Sequence, residues 1–266
     1  MVIDRAVSLA PSATATARAL GATDALVGVT HACDLGGVDG TGGDAARLGG
    51  WPNPDLDAVA ALDPDAVLTC DPLQRETAET LRERGLPVAH AEPTRLSEVF
   101  ETLESVGEAV GRPDAGARLA RESRERVERV RHAVPGSTDG PGDVDGRPVV
   151  YAEEWGDPPT AAGNWVPDAV AAAGGRCPFV APGERSAPVD PEALRRADPD
   201  HVVLHWCGDD RTPDANAVAD RGWDLDAEVH VVDDSLLNQP SPRLIDGIET
   251  LARLLHGVEV GRDATA

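Results

Sequence analysis

Short apolar runs and amphipathic runs take turns along this chain, and that alternation limits the folds open to it more than any other feature. Strand-like blocks at 6–9, 25–29, 66–70 and 87–90 are separated by helix-like blocks at 13–20, 55–62 and 74–84, which is the grammar of parallel βαβ units. After Glu92 the pattern changes to two consecutive helices, 96–110 and 113–134, with Gly111 as the stop and Pro113 as a first-turn residue. The second carries Leu119, Val127, Val130 and Val134 on a narrow apolar stripe flanked by Arg and Glu. About 21 residues rising ~1.5 Å each span roughly 30 Å, the width of a small domain. This helix therefore reads as a strut between two bodies.

Alternation resumes with strands at 148–153, 201–206 and 229–233 and helices at 165–173, 190–197 and 241–256. The expected fold class is α/β: two Rossmann-like lobes joined by a long rigid helix, with a ligand cleft between the lobes. The N-terminal lobe takes 1–92, the helical connector 93–135, a surface loop rich in Gly, Pro and Asp 136–147, the C-terminal lobe 148–258 and a tail 259–266. An internal echo supports two lobes. Asp63-Pro64-Asp65 precedes one apolar strand and Asp198-Pro199-Asp200 precedes another, each after a helix.

The junction after the first strand points to function. Proline ends the ladder at Pro11, and Ser12 is placed to cap the helix that follows. A helix N-terminus at a strand's carboxyl end presents unpaired N–H groups, and open α/β sheets bind ligands just beyond such ends. Pro11 and Ser12 are the first candidate ligand-binding residues.

Charge narrows the partners. The 47 acidic residues against 24 basic ones, every one an Arg, leave a net charge of −23. Such a surface repels phosphate backbones and anionic lipid, which argues against nucleic-acid and membrane-surface partners. It suits a high-salt cytoplasm, where screening removes the self-repulsion; an acidic proteome from a GC-rich genome is the plainer alternative. Cys33, Cys70, Cys177 and Cys207 form no CxxC pair and read as free thiols in a reducing compartment. Met1 to Arg5 lead straight into a strand with no leader-like segment, and no run is long enough to span a bilayer. The expectation is a cytoplasmic monomer, or an extracytoplasmic one if a leader has been removed.

Five motifs in order resemble one family. They are Val7-Ser8-Leu9-Ala10-Pro11-Ser12-Ala13-Thr14, Leu26-Val27-Gly28-Val29-Thr30, Leu62-Asp63-Pro64-Asp65-Ala66-Val67-Leu68, Gly85-Leu86-Pro87-Val88, and Pro240-Ser241-Pro242-Arg243-Leu244-Ile245-Asp246-Gly247. Together they are similar to the helical-backbone substrate-binding proteins of ABC importers, in the branch that binds cobalamin and related corrinoids. The resemblance implies two α/β lobes around a rigid helix, a corrinoid as ligand rather than catalytic cofactor, bound for uptake or for intracellular salvage, and an ABC permease as a possible partner. The segment from Glu153 through Trp155 to Pro159, with Gly163-Asn164-Trp165-Val166-Pro167, resembles the first loop of that branch's second lobe. The same fold also serves siderophore and haem binding, which stand as the alternative function.

A corrin is a wide, mostly apolar disc rimmed by amides, so its site needs aromatic faces, a few polar anchors and little charge. Five Trp against one Tyr and two Phe is a lopsided aromatic set. Trp51, Trp155 and Trp165 fall in expected loops after strands and Trp206 at a strand end; these are ligand-binding candidates, while Trp223 is expected to be structural. Leu237 and Asn238 occupy the matching place in the second lobe, where Asn238 suits a propionamide. Arg243 is expected to pair with a carboxylate such as Asp246. His31 is a binding candidate by position. With Cys33 and Asp34 it offers too few donors for a metal site, and loop-anchoring hydrogen bonds are the expected role of this trio. A hydrolase using Ser12 and His31 is the remaining alternative, without a nucleophile-elbow motif to support it. The chain is expected not to be an enzyme.

Overall fold

The computed structural model describes residues 3–36, 44–135, 146–208 and 213–260. The chain divides into two compact units: residues 1–93, 97–123 and 240–242 form one, and residues 94–96, 124–239 and 243–266 the other. Most of the expected surface loop at 136–147 and of the tail at 259–266 lies outside the described residues.

In the first unit, β1 (Ala6–Ser8), β2 (Leu26–Val29), β3 (Ala46–Arg47), β4 (Ala66–Cys70) and β5 (Val88–Ala91) form a sheet in the order β3-β2-β1-β4-β5. All its pairings are parallel. Alternate residues of β1 and β4 serve opposite faces. Ala6 and Leu68 join a cluster with Ala13, Ala17 and Val106, while Val7 and Val67 join Val59 and Leu81. Helices thus cover both faces, as a parallel sheet requires. They are α1 (Pro11–Ala19), α2 (Leu56–Ala61), α3 (Arg75–Glu83) and α4 (Leu96–Ala109). The strand order reverses between β1 and β4, so the segments leaving those two strands diverge.

The helix α5 (Pro113–Ala133) has 21 residues and begins in the first unit and ends in the second. Its start lies against α4, where a side chain at Gly107 would meet the Gly116 Cα at 2.7 Å. Glycine at both positions is what lets the two backbones touch.

The second unit is only partly parallel. Strands β6 (Val150–Gly156), β7 (Pro159–Ala161), β8 (Ala187–Pro188), β9 (His201–Leu204) and β10 (Glu228–Val231) take the order β10-β9-β6-β7-β8. β10, β9 and β6 run parallel, but β7 and β8 are antiparallel additions. Alternation alone did not anticipate them, because strands of two or three residues carrying Pro159 and Pro188 leave no apolar run to read. Helices α6 (Val166–Ala172), α7 (Pro191–Ala197), α8 (Ala217–Asp220) and α9 (Arg243–His256) complete the unit. Its core gathers Tyr151, Val202, Leu204 and Leu194 with Trp223, which is 7% exposed.

The internal echo is structural. Asp63 after α2 and Asp198 after α7 both have φ 46°, a left-handed conformation that Asp tolerates. The last Asp of each triplet then holds the neighbouring central strand. Asp65 N–H donates to the Arg5 carbonyl at 2.8 Å, and its carboxylate accepts from Arg5 N–H at 3.0 Å. Asp200 N–H donates to the Val149 carbonyl at 2.9 Å, and its carboxylate accepts from Val149 N–H at 2.7 Å.

Candidate functional site

In the first unit the candidates lie beyond the carboxyl ends of β1, β2 and β3. Pro11 is the first residue of α1 and Ala10 its cap, so Ser12 lies inside the first turn rather than capping it. The pyrrolidine ring presets the helical φ, which starts the helix two residues earlier than the hydrophobic pattern indicates. Ser12 is 5% exposed and lines the same cavity as Cys70. Burial pushes the Cys70 thiol up to about 12, so it stays protonated.

One residue that the sequence did not single out organises this end of the sheet. Gln74 is wholly buried. Its Nε2 donates to the carbonyls of Leu9 at 2.9 Å and Trp51 at 2.8 Å, and its Oε1 accepts from Cys70 N–H at 3.0 Å. One carboxamide thus joins the ends of β1 and β4 to the loop bearing Trp51. The Trp51 indole N–H is buried without a hydrogen-bond partner among the described residues.

A cavity of about 530 Å³ lies over β4 and β5, lined by Ser12, Thr69, Cys70 and His90 and, from α4, by Thr102 and Ser105. His90 is held at both nitrogens, by Thr69 Oγ1 at 2.9 Å and by Glu92 Oε1 at 2.8 Å. Arg75 grips the same carboxylate, its Nε donating to Oε1 at 2.7 Å. Arg75 first and then His90 hold Glu92 down at about 2 against the opposing effect of burial.

The trio His31, Cys33 and Asp34 disperses. His31 is exposed, and its backbone N–H donates to the Gly49 carbonyl at 2.9 Å. Cys33 turns into the core beside Thr30 Oγ1 at 3.1 Å. Asp34 receives Arg18 at 2.8 Å. Each of these contacts anchors the loop.

In the second unit one candidate, Trp206, binds a buried charge. Glu153 on β6 is wholly buried and receives four donors: Tyr151 Oη at 2.7 Å, Trp206 Nε1 at 2.8 Å, and Arg221 Nη1 and Nη2 at 2.7 and 2.9 Å. Burial, with the Glu153 charge beside it, raises the Tyr151 phenol and keeps it a donor. The Arg221 guanidinium also lies over Trp223, 4.7 Å from the ring centroid. Trp206 rests on Gly156, where a Cβ would stand 2.5 Å from its ring. With Gly208, Asp233 and Asp234 it lines a cavity of about 400 Å³.

Trp155 is a strand residue rather than a loop residue, because antiparallel pairing with β7 carries β6 on to Gly156. It is half-buried, and its indole N–H donates to the Asp157 carbonyl at 2.8 Å. Trp165 caps α6, is 7% exposed, and donates to the Leu237 carbonyl at 2.8 Å. Leu237 itself is buried. Asn238 pairs with His205 twice, through Nδ2 to the His205 carbonyl at 2.8 Å and Oδ1 to its ring Nδ1 at 2.6 Å. His205 is wholly buried, and its Nε2 has no partner among the described residues. Arg243 meets a carboxylate, Asp233, at 3.7 Å, and Asp246 answers Arg126 on α5 at 2.6 Å.

A family model described as periplasmic binding protein matches residues 7–225. This chain belongs to the periplasmic binding protein family. A cobalamin-binding protein from Halobacterium salinarum is 31% identical over 271 aligned positions, spanning 97% of this chain and 70% of the relative. Among solved structures, the periplasmic vitamin B12-binding protein of Vibrio cholerae matches with a TM-score of 0.73 at 22% identity, over 95% of this chain and 96% of that one. A periplasmic haem-binding protein from Roseiflexus matches with a TM-score of 0.77 at 21% identity, over 96% and 98%. Both share the fold of two α/β lobes. The family is named for the periplasm, and the cytoplasmic setting expected from Met1 to Arg5 gains no support from it. Among the described residues no helix is long and apolar enough to cross a membrane.

Proposed function

We propose that this member of the periplasmic binding protein family binds a corrinoid, cobalamin or a precursor, without covalent chemistry, and captures it for uptake by an ABC permease. The observation that carries the reading is the 31% identity to a cobalamin-binding protein along 97% of this chain. The strand-end residues supply fitting chemistry. Trp155 and Trp206 offer indole faces to an apolar disc, and Trp51 stands on the loop that Gln74 fastens to the ends of β1 and β4. Ser12 and Asn238 supply polar anchors, and His31 is an exposed imidazole on the loop after β2. Pro11 fixes the turn that carries Ser12. Trp165 and Leu237, being buried, position the Asn238 segment rather than touch ligand.

The test is titration of the purified protein with cyanocobalamin, cobinamide, haem and a ferric siderophore in molar KCl, followed by ligand absorbance. Saturation by a corrinoid alone, weakened in Trp155→Ala and in Trp51→Ala, is the expected result. A folded protein that saturates with haem or the siderophore and with no corrinoid overturns the assignment.

A further inference from the structure

We propose that the second unit carries a site for a borderline divalent cation, zinc the best match, formed by His201, Glu228 and His230 at the amino ends of β9 and β10. These are the opposite ends of the strands from the ones that lead to Trp206 and Asn238. His201 opens β9 and Glu228 opens β10, and the parallel register sets them side by side. His230 follows Glu228 by two residues, so the pleat returns it to the same face of the sheet.

The donor atoms are already nearly in place. His201 Nδ1 lies 3.1 Å from His230 Nε2, and the Glu228 oxygens lie 4.0 Å from the first and 3.9 Å from the second. All three donors fall within 4.8 Å of one another. A tetrahedral zinc ion about 2.0–2.1 Å from each ligand holds its donors about 3.3–3.4 Å apart. The imidazoles need to part by a few tenths of an ångström, and a single Glu228 oxygen, which lies within 4.8 Å of both nitrogens, has to swing in by up to about 1.4 Å to reach tetrahedral spacing. The side chains that must stay still are covered, at 13% for His201 and 9% for His230, while the one that must move is 68% exposed. The rings stack at 28° with centroids 5.3 Å apart, so the two nitrogens already stand side by side.

The donor set also fits the metal class. Two imidazoles and a carboxylate suit zinc and its neighbours better than magnesium or calcium, which prefer oxygen alone. Asp200 and Glu228 contribute negative charge around His201. Without a metal, the 3.1 Å contact is an N–H of one imidazole donating to the ring nitrogen of the other, and that is the competing account.

Equilibrium dialysis of the full chain against zinc, in molar potassium nitrate with excess magnesium to occupy surface carboxylates, reads the site directly. One equivalent bound is expected, with affinity reduced at least about tenfold in His201→Gln and in His230→Gln, since even outer-shell losses cost about that much, and unchanged in Cys207→Ser. Histidine side-chain ¹⁵N spectra of the unaltered protein give a reading that survives a misfolded variant: zinc should move two of the seven imidazoles and no others. No stoichiometric uptake, uptake retained in the double histidine variant, uptake lost in Cys207→Ser, or any other number of shifted imidazoles overturns the site.

Discussion

Arg221 holds Glu153 by both arms of its guanidinium, at 2.7 and 2.9 Å, and Glu153 has no solvent exposure. The pair reaches from α8 to β6, and the same carboxylate carries the Trp206 indole. Removing the cation strands a buried charge, which costs about 3–5 kcal/mol. Arg221→Met should therefore lower the unfolding free energy by about that much and alter Trp206 fluorescence. Denaturant melts in molar KCl check the first effect and emission spectra the second.

Gln74→Leu keeps approximate volume but leaves the Leu9 and Trp51 carbonyls and the Cys70 N–H without their partner. Each stranded buried group costs about 1–3 kcal/mol. A loss of about 3 kcal/mol in stability is expected, together with weaker corrinoid binding, measured by denaturation and by the absorbance titration respectively.

Gly156→Ala is expected to leave stability less affected than binding. Its Cβ would stand 2.5 Å from the Trp206 ring, so the ring must shift or the strand must bend, at a cost of about 1–3 kcal/mol. Corrinoid affinity that is unchanged in this variant would remove Trp206 from the binding surface.

Acid sensitivity follows from His205. Burial holds its folded-state value down at about 4, against 6.5 for the unperturbed group. Between those values the unfolded chain binds a proton that the folded chain does not, so stability rises with pH through the window. It should fall by on the order of 3 kcal/mol as pH drops from about 6.5 to about 4, and His205 adds nothing further below that. In His205→Gln this part of the slope disappears, whatever the variant's absolute stability. Glu92 acts in a separate window. Its depressed value means its contribution is present above about 4.5 and lost as pH falls towards about 2.

Much of the fold was legible because parallel strands are buried on both faces and announce themselves as apolar runs, as Ala66 to Cys70 do. The Asp-Pro-Asp echo was legible because both copies perform the same task, a left-handed exit from a helix followed by a carboxylate on the adjoining strand. The hairpin at Asp157-Pro158-Pro159 was not, since its pairing depends on the partner strand rather than on its own pattern. The site was harder still. Tryptophans could be counted, but Trp155 and Trp165 differ in burial for reasons of tertiary packing. Glu153 and Glu154 are adjacent and chemically identical in the sequence, and only the pleat decides which one meets Arg221. Gln74, in a short turn between Asp71 and Arg75, carries no local mark of burial. Its partners lie 65, 23 and 4 residues away.

The three bonds to Gln74 bear on how such a site can change over time. Because one amide fastens the roots of three segments, none of those roots can drift without unseating the other two. Variation in ligand preference is therefore confined to the tips beyond the fastening, the residues after Trp51 and the first turn of α1. Relatives of this chain that accept a different molecule should retain the anchor, or replace it by a group with the same two donors and one acceptor, while differing freely a few residues further on.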